Sequence, residues 1–405
     1  MREYSGNGIL KVDEVGSFES RYVLRFQNDG KAVIDFDFSI FNPQSHVLVN
    51  KFNDEKIIVG NFNGKLDNSS GTLEISKVVI GGFHSNFEYG KPFKETLILQ
   101  VFDLILLKFS VIDRDEDVEI KYGLSNFEFF GNFITKKGNE FKRNLRKVNI
   151  EGDEISFIQI DDYEEVIKSL KERLNAQVTS ELIIKNKYNY LKMIDKKVHD
   201  ILTLCSFAMG NFVTDIYQDI YVNGELRESI LKPLKTHPFN TRISVIDTWI
   251  TGDNEFEQFL ILSYPQYIKY KEILGLDIVI EYYITSKRNA LMEINYLLGS
   301  ITFECLESYL SEYFKSKNVT KNLNGFKNKT RSLFEEFGIT YDENELKFIK
   351  IRDKIVHTGR FPDYQNSVND YNKLINLIDR TLLTIFNYKE KPYHNMKTNK
   401  KEILN

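Results

Sequence analysis

Residues 31–40, KAVIDFDFSI, alternate strictly. Ile34, Phe36, Phe38 and Ile40 fall on one face, and Val33, Asp35, Asp37 and Ser39 on the other. A period of two is the signature of a half-buried strand. IIVGNFNG, GTLEISKVVIGG, ETLILQVFDLILLKFSVI, VEIKYG and NFEFFGNFI continue the pattern, punctuated by Gly, Asn and Asp. The apolar run from Leu97 to Val111 fits one central strand or two joined by a bend. Residues 1–160 are therefore expected to form a β-rich sandwich or irregular barrel. No βαβ alternation is visible, which argues against a Rossmann or P-loop core.

The period changes near Asp161. DDYEEVIKSLKERLNAQ sets Val166, Ile167, Leu170 and Leu174 on one helical face, with acids in the first turn. SELIIKN reads as a short apolar piece, and Ile194, Val198, Ile201, Leu202 and Cys205 mark a helix from about Tyr188 to Ala208. FEQFLILS reads as extended, and residues 161–262 as a mixed α/β segment completing the N-terminal domain. Residues 263–388 read as a helical bundle. Ser263-Tyr264-Pro265 is its expected opening cap, and Ile294, Leu298, Ile301, Cys305 and Tyr309 form an apolar stripe wide enough to pack. Gly299-Ser300 within that helix suits a kink or a close crossing. Further helices are expected at FKNKTRSLFEEFG, at ENELKFIKIRDKIVHTG with Asp342 as N-cap, and over Asn366–Tyr388. Residues 389–405 read as a Lys-rich tail that frays. The fold class is multidomain α+β.

Composition narrows the function. The 405 residues are 42% hydrophobic and 28% charged, as in folded domains. Cys205 and Cys305 are the only cysteines, too few for a disulfide scaffold or an all-cysteine metal site. The opening MREYSGNGILKVDEV has no apolar stretch, and no run of eighteen apolar residues occurs, so a cytoplasmic protein without a membrane anchor is expected. The net charge of −4 is uneven: residues 265–405 carry 22 Lys and Arg against 18 Asp and Glu. A mildly basic C-terminal part suits a localised polyanion contact.

Familiar catalytic signatures are missing: no GxxxxGK[ST], HExxH, GxSxG or CxxC. No two of His46, His84, His199, His237, His357 and His394 lie within four residues of each other, so no local metal cluster can be written and no cofactor is expected. What stands apart is Arg352-Asp353-Lys354-Ile355-Val356-His357 in the basic part. An Arg grips phosphate with its planar fork, and a His moves protons around neutral pH. Metal-free RNA cleavage needs little more. Five helical residues put the two groups about 7.5 Å apart along the axis and about 140° apart around it. One helix therefore does not present them as a pair, whereas a two-fold axis bringing two copies together would. The residues alone leave a second reading open, in which Arg352 pairs with an acid and His357 caps its helix beside Gly359.

IRDKIVHTG resembles the Rx4–6H signature of HEPN domains, all-α bundles that commonly dimerise and in many members are metal-independent ribonucleases. The resemblance places the family's composite site on Arg352, Asp353 and His357; Asp at the middle position is less usual than Asn. A polar residue from an earlier helix often joins that site, and Glu304 is the candidate, its alternative being a solvated surface Glu. The layout, with its SELIIKN and LTLCSFAMG stretches, also resembles the ApeA-like proteins of bacterial anti-phage defence, which join a β-rich N-terminal domain to a C-terminal HEPN domain. This implies an endoribonuclease that cuts tRNA or other host RNA in abortive infection, by 2′-OH attack at a homodimeric site. It also implies a phage-derived trigger acting on the N-terminal domain. The family includes members that bind RNA or protein without cutting, which is the alternative reading.

Overall fold

A computed structural model of the chain describes all residues except 39–42, 56, 68–69, 87–93, 138–139, 234–236, 240–243, 249–253, 289–290, 320, 322 and 405. Ser39 and Ile40, expected in the first quoted strand, thus lie outside the described residues. In chain order, the first elements are β1 (Arg2–Val12), β2 (Gly16–Phe26), β3 (Ala32–Phe38), α1 (Pro43–Glu55), β4 (Val59–Leu66), β5 (Thr72–Asn86), β6 (Lys94–Val101), β7 (Ile105–Lys108) and β8 (Asp117–Ser125). Next come β9 (Phe133–Lys137), β10 (Glu140–Ile150), β11 (Asp153–Gln159), α2 (Tyr163–Arg173), β12 (Val178–Lys187), α3 (Leu191–Met209), β13 (Thr214–Val222) and β14 (Glu225–Leu231). Helices then take over: α4 (Glu255–Leu274), α5 (Leu276–Ser286), α6 (Met292–Ser316), α7 (Phe326–Phe337), α8 (Lys347–Thr358) and α9 (Ser367–Ile385), followed by β15 (Pro392–Asn395) and β16 (Lys400–Ile403). A β-rich N-terminal region is thus followed by a C-terminal helical region.

The chain divides into two units that interleave in sequence. The first comprises residues 1–126, 157–192 and 214–238. Its strands run β4-β1-β2-β3-β6-β5, and β4 also pairs with β5, so six antiparallel strands close into a barrel. Closure removes the exposed edges that an open sheet would present. From β5 the sheet continues through β7, β14, β13, β8 and β12. The alternation read from sequence fills the interior: Ala32, Ile34, Phe36 and Phe38 are all buried in it, with Leu24, Phe62 and Leu99. A Cβ on Gly64 would stand 2.6 Å from the Tyr22 ring, so the ring occupies the space a side chain would take. The long apolar run proves to be two strands, β6 and β7, joined by a bend at residues 102–104.

The second unit comprises residues 127–156, 193–213 and 239–405. Phe207 of α3 packs against Phe259 of α4, Tyr283 of α5 and Phe386 beyond α9, with ring centroids 5.3 to 5.9 Å apart. Arg146 on β10 is fully buried. Its Nη1 donates to both Glu257 carboxylate oxygens of α4 at 2.9 and 2.8 Å, while Nε and Nη2 donate to the carbonyls of Phe130 and Thr248. Helix α6 is the hub, packing on α4, α5, α7, α8 and α9. Its buried stripe is Tyr296, Gly299, Phe303, Leu306, Leu310 and Phe314. A Cβ at Gly299 would be 3.2 Å from Leu374, so glycine here lets α9 cross close by, as its position in the sequence suggested.

Five local expectations are corrected. FEQFLILS is helical, not extended, because Phe256, Phe259 and Leu260 take helical spacing onto the core of α4. Ser263-Tyr264-Pro265 lies inside that helix rather than capping it. The stripe of Ile294, Leu298, Ile301, Cys305 and Tyr309 is not the core face of α6: Ile294 is 46% exposed and the others half-buried, since Gly299 and Phe303 turn the adjacent stripe inward. The Lys-rich tail does not fray. It forms the β15–β16 hairpin, anchored by buried Tyr393, whose hydroxyl donates to Asn376 at 3.3 Å. In NFEFFGNFI only Phe133 and Ile134 belong to a strand, and Phe127 and Phe129 are buried by irregular backbone.

Glu257→Ala strands a buried guanidinium. It should cost about 3–5 kcal/mol in urea unfolding, whereas pairing Arg146→Met with Glu257→Leu should cost far less.

Candidate functional site

Helix α8 is fixed by two apolar anchors. Phe348 and Ile355 are buried, and Phe348 stacks on Phe303 of α6 at 5.0 Å. Arg352 lies one turn beyond Phe348 on the same flank, so its guanidinium reaches α6. There its Nη2 is 2.6 Å from Oε1 of Glu304, while its Nη1 donates to Asp353 at 3.0 Å. The Arg352 side chain remains 30% exposed. Three of the four expected site residues are therefore together: Arg352, Asp353 and Glu304. Glu304 is not a solvated surface side chain but the counter-ion of the guanidinium.

His357 stands apart. It is exposed in the last turn of α8 and makes no hydrogen bond or ion pair among the described residues. The helical offset of about 140° explains this, because a side that faces α6 at position 352 has turned to solvent by position 357. Gly359 ends the helix in the left-handed conformation, with its amide donating to Ile355 at 2.7 Å.

One turn further along α6, the reading from sequence passed over Glu307. It is buried and accepts a hydrogen bond from the Thr330 hydroxyl of α7. Burial, reinforced by the nearby Glu304 carboxylate, pushes its pKa up to about 9 against the opposing pull of Thr330 and Lys329. The site thus holds the Glu304 side chain on the guanidinium and, one turn deeper, a second carboxyl whose pKa burial has raised. Spacing alone, Glu304 and Glu307 three apart on a helix, would have flagged the pair. Burial pushes up the Cys305 thiol, helped by Glu304, and burial also raises Cys205, so neither suits a thiolate nucleophile.

The outward face of α8 is cationic. Lys347, Lys350 and Lys354, with Arg360 just beyond the helix, are exposed and have no acidic partner among the described residues. Among the described residues no group of three or more His, Cys, Asp or Glu is placed to hold a metal ion, and no helix is long and apolar enough to cross a membrane. No family model, curated protein or solved structure matches the chain.

The neutral Glu307 has a pH consequence. Its folded pKa lies above the ordinary value of 4.5, so its contribution to stability is full below about pH 4.5 and is lost as pH rises through 9. Glu307→Gln, neutral throughout, should flatten the fall in urea midpoint between pH 5.5 and 9; parallel curves for both proteins would contradict the assignment.

Proposed function

We propose that the chain is a metal-independent endoribonuclease of HEPN type, cutting tRNA or another host RNA in anti-phage defence by abortive infection. The observation that carries this reading is the outward face of α8. Four cations without acidic partners and an exposed His357 lie on it, turned away from the flank on which half-exposed Arg352 meets α6. Unpaired cations along one helix suit a phosphate backbone. Arg352 donates one N–H to Asp353 and forms an ion pair with Glu304; the two acids hold the fork in place and leave other N–H donors for a phosphate oxygen.

The chemistry follows from these groups. A base takes the proton from the ribose 2′-OH, the 2′-oxygen attacks phosphorus, and the P–O5′ bond breaks. An acid protonates the departing 5′-oxygen, leaving a 2′,3′-cyclic phosphate and a 5′-hydroxyl. His357 serves as base or acid, and Arg352 neutralises charge on the phosphorane. Glu304 and Asp353 position the guanidinium. Because Arg352 and His357 diverge on one helix, the reaction calls for a second copy, whose His357 faces this Arg352 across a two-fold axis. Half-exposed Ile294, Leu298 and Ile301 on α6 and the 53%-exposed Val356 on α8 are apolar surface that such a copy would cover. The β-rich region would sense a phage-derived trigger.

A non-catalytic RNA- or protein-binding module is the second reading. It is favoured by the Glu304–Arg352 ion pair and by the lack of contact between Arg352 and His357 within one chain.

Wild-type and His357→Ala proteins incubated with total cellular RNA in EDTA separate these readings. Cleavage leaving 2′,3′-cyclic ends should fall by about 10²- to 10⁴-fold in the variant. Arg352→Ala should be similarly damaging, and its melting temperature nearly unchanged, since half-exposed ion pairs contribute only about 0–1 kcal/mol. Equal cleavage by all three proteins rejects the assignment; RNA binding without cleavage by any of them favours the second reading.

A further inference from the structure

Helix α8 has a second flank. Lys350 and Arg352 are about 200° apart around the helix axis, and on the Lys350 side a cleft of about 480 Å³ opens between α6, α8 and the start of α9. That volume lies within the range of about 300–1,000 Å³ typical of small-ligand sites.

The charges of the cleft are not balanced. Its acids are already engaged. Glu345 pairs with Arg380 and accepts from the Asp342 amide at 3.0 Å. Asp363 accepts from the Gln365 amide at 3.0 Å and the Asn366 carboxamide at 2.6 Å. Asp370 faces Lys373 at 3.4 Å. Lys347 and Lys350 have no acidic partner among the described residues; Asp363, hydrogen-bonded only to neutral amides, offsets one of them, so with Arg380 counted a single positive charge is left over, on the α8 wall.

The interior is built differently from the rim. Tyr296 lines the cleft, is fully buried, and its hydroxyl has no hydrogen-bond partner among the described residues. A buried hydroxyl left unmade costs about 1–3 kcal/mol, so such groups mark places where a ligand can supply the missing bond. Ile351 and Leu374 provide apolar wall beside it, and the carboxamides of Asn344, Asn366 and Asn369 bring further donors and acceptors to the margin. An apolar, hydroxyl-bearing interior with amide edges and two unpaired ammonium groups matches a base and its phosphate.

We propose that this cleft is a nucleotide site that seats one unstacked nucleotide of single-stranded RNA. The base lies against the Tyr296 side, where the phenolic hydroxyl bonds its polar edge, and the phosphate meets Lys347 and Lys350. This deepens the ribonuclease reading, and rests on it for RNA as the source of the nucleotide. The site would choose which base is presented while the Arg352 flank meets the backbone. Sequence-selective RNA recognition targets unstacked bases in this manner.

The test needs no cleavage. The full-length protein is titrated by calorimetry with the four ribonucleoside 5′-monophosphates, the matching nucleosides and inorganic phosphate. At least one monophosphate should bind more tightly than both its nucleoside and inorganic phosphate. The Lys347→Ala/Lys350→Ala double variant should reduce it to the nucleoside's affinity, and Tyr296→Phe should weaken it up to about tenfold while the melting temperature of the free protein stays the same or rises. Failure of every monophosphate at millimolar concentration overturns the proposal. So does phosphate binding as tightly as the nucleotide, which would make this an anion site, or indifference to all the variants. RNA cleavage without monophosphate binding removes this proposal alone, and monophosphate binding by a protein that leaves RNA intact removes the nuclease reading instead.

Discussion

Everything at the candidate site hangs on how α6 is buried. Five helices lean on it, and three of the contacts can be traced to single residues of α6. Gly299 admits α9, Phe303 stacks on Phe348 of α8, and Thr330 of α7 is tied to Glu307. Leu306, Leu310 and Phe314 fill the space between. Full burial of a large apolar side chain is worth about 1.5–3 kcal/mol, so the stripe as a whole outweighs any single ion pair at its edge. Glu304, one step from Phe303 on the flank, is consequently placed by packing rather than by its own charge. The guanidinium meets a carboxylate whose position is already decided.

This ordering explains what could be read from sequence. Period-two alternation in KAVIDFDFSI places Ile34, Phe36 and Phe38 correctly inside the barrel, because a strand's two faces are a local property. Barrel closure is not local: it needs β4 to pair with both β1 and β5, and no spacing within β4 announces two partners. The same logic governs the errors. FEQFLILS carries β-branched and aromatic residues that favour a strand in isolation, yet the burial of Phe256, Phe259 and Leu260 against distant rings decides for a helix. Tyr393 in a lysine-rich tail offers no periodicity; the hairpin is held by contacts with distant segments, Tyr393 to Asn376 on α9, the His394 amide to the Val245 carbonyl and Lys401 to Glu255.

At the site, the divide falls in a similar place. Simple helix arithmetic gives the divergence of Arg352 and His357, and the resemblance to HEPN domains supplied Glu304. The position of Glu307 beside Glu304 was legible from helical spacing, but its burial against Thr330 and the cleft at Tyr296 were hidden, since each depends on segments far apart in the chain. Glu307 meets Thr330 across a helix pair, and the cleft wall joins Tyr296 to residues more than 45 positions later.

The two flanks of α8 divide its charges by environment. Arg352 faces a packed helix and is neutralised by Glu304 and Asp353. Lys347 and Lys350 face a cleft whose acids are committed elsewhere, and so keep their charge available. The mildly basic balance of residues 265–405 is thus concentrated where it has no internal use, along a helix that carries a single acid, Asp353. Had the same lysines been paired, α8 would be an ordinary structural helix with an ion pair at its edge. Anions approaching α8 meet the free lysines first, while displacing Glu304 from Arg352 demands a group that can match a carboxylate in charge and geometry. A phosphodiester provides the charge and two non-bridging oxygens for the fork. In the proposed reaction the phosphorane would carry more charge than the ground state, and the contact would tighten as it forms. An arginine already held by carboxylates can therefore favour the transition state over the bound substrate.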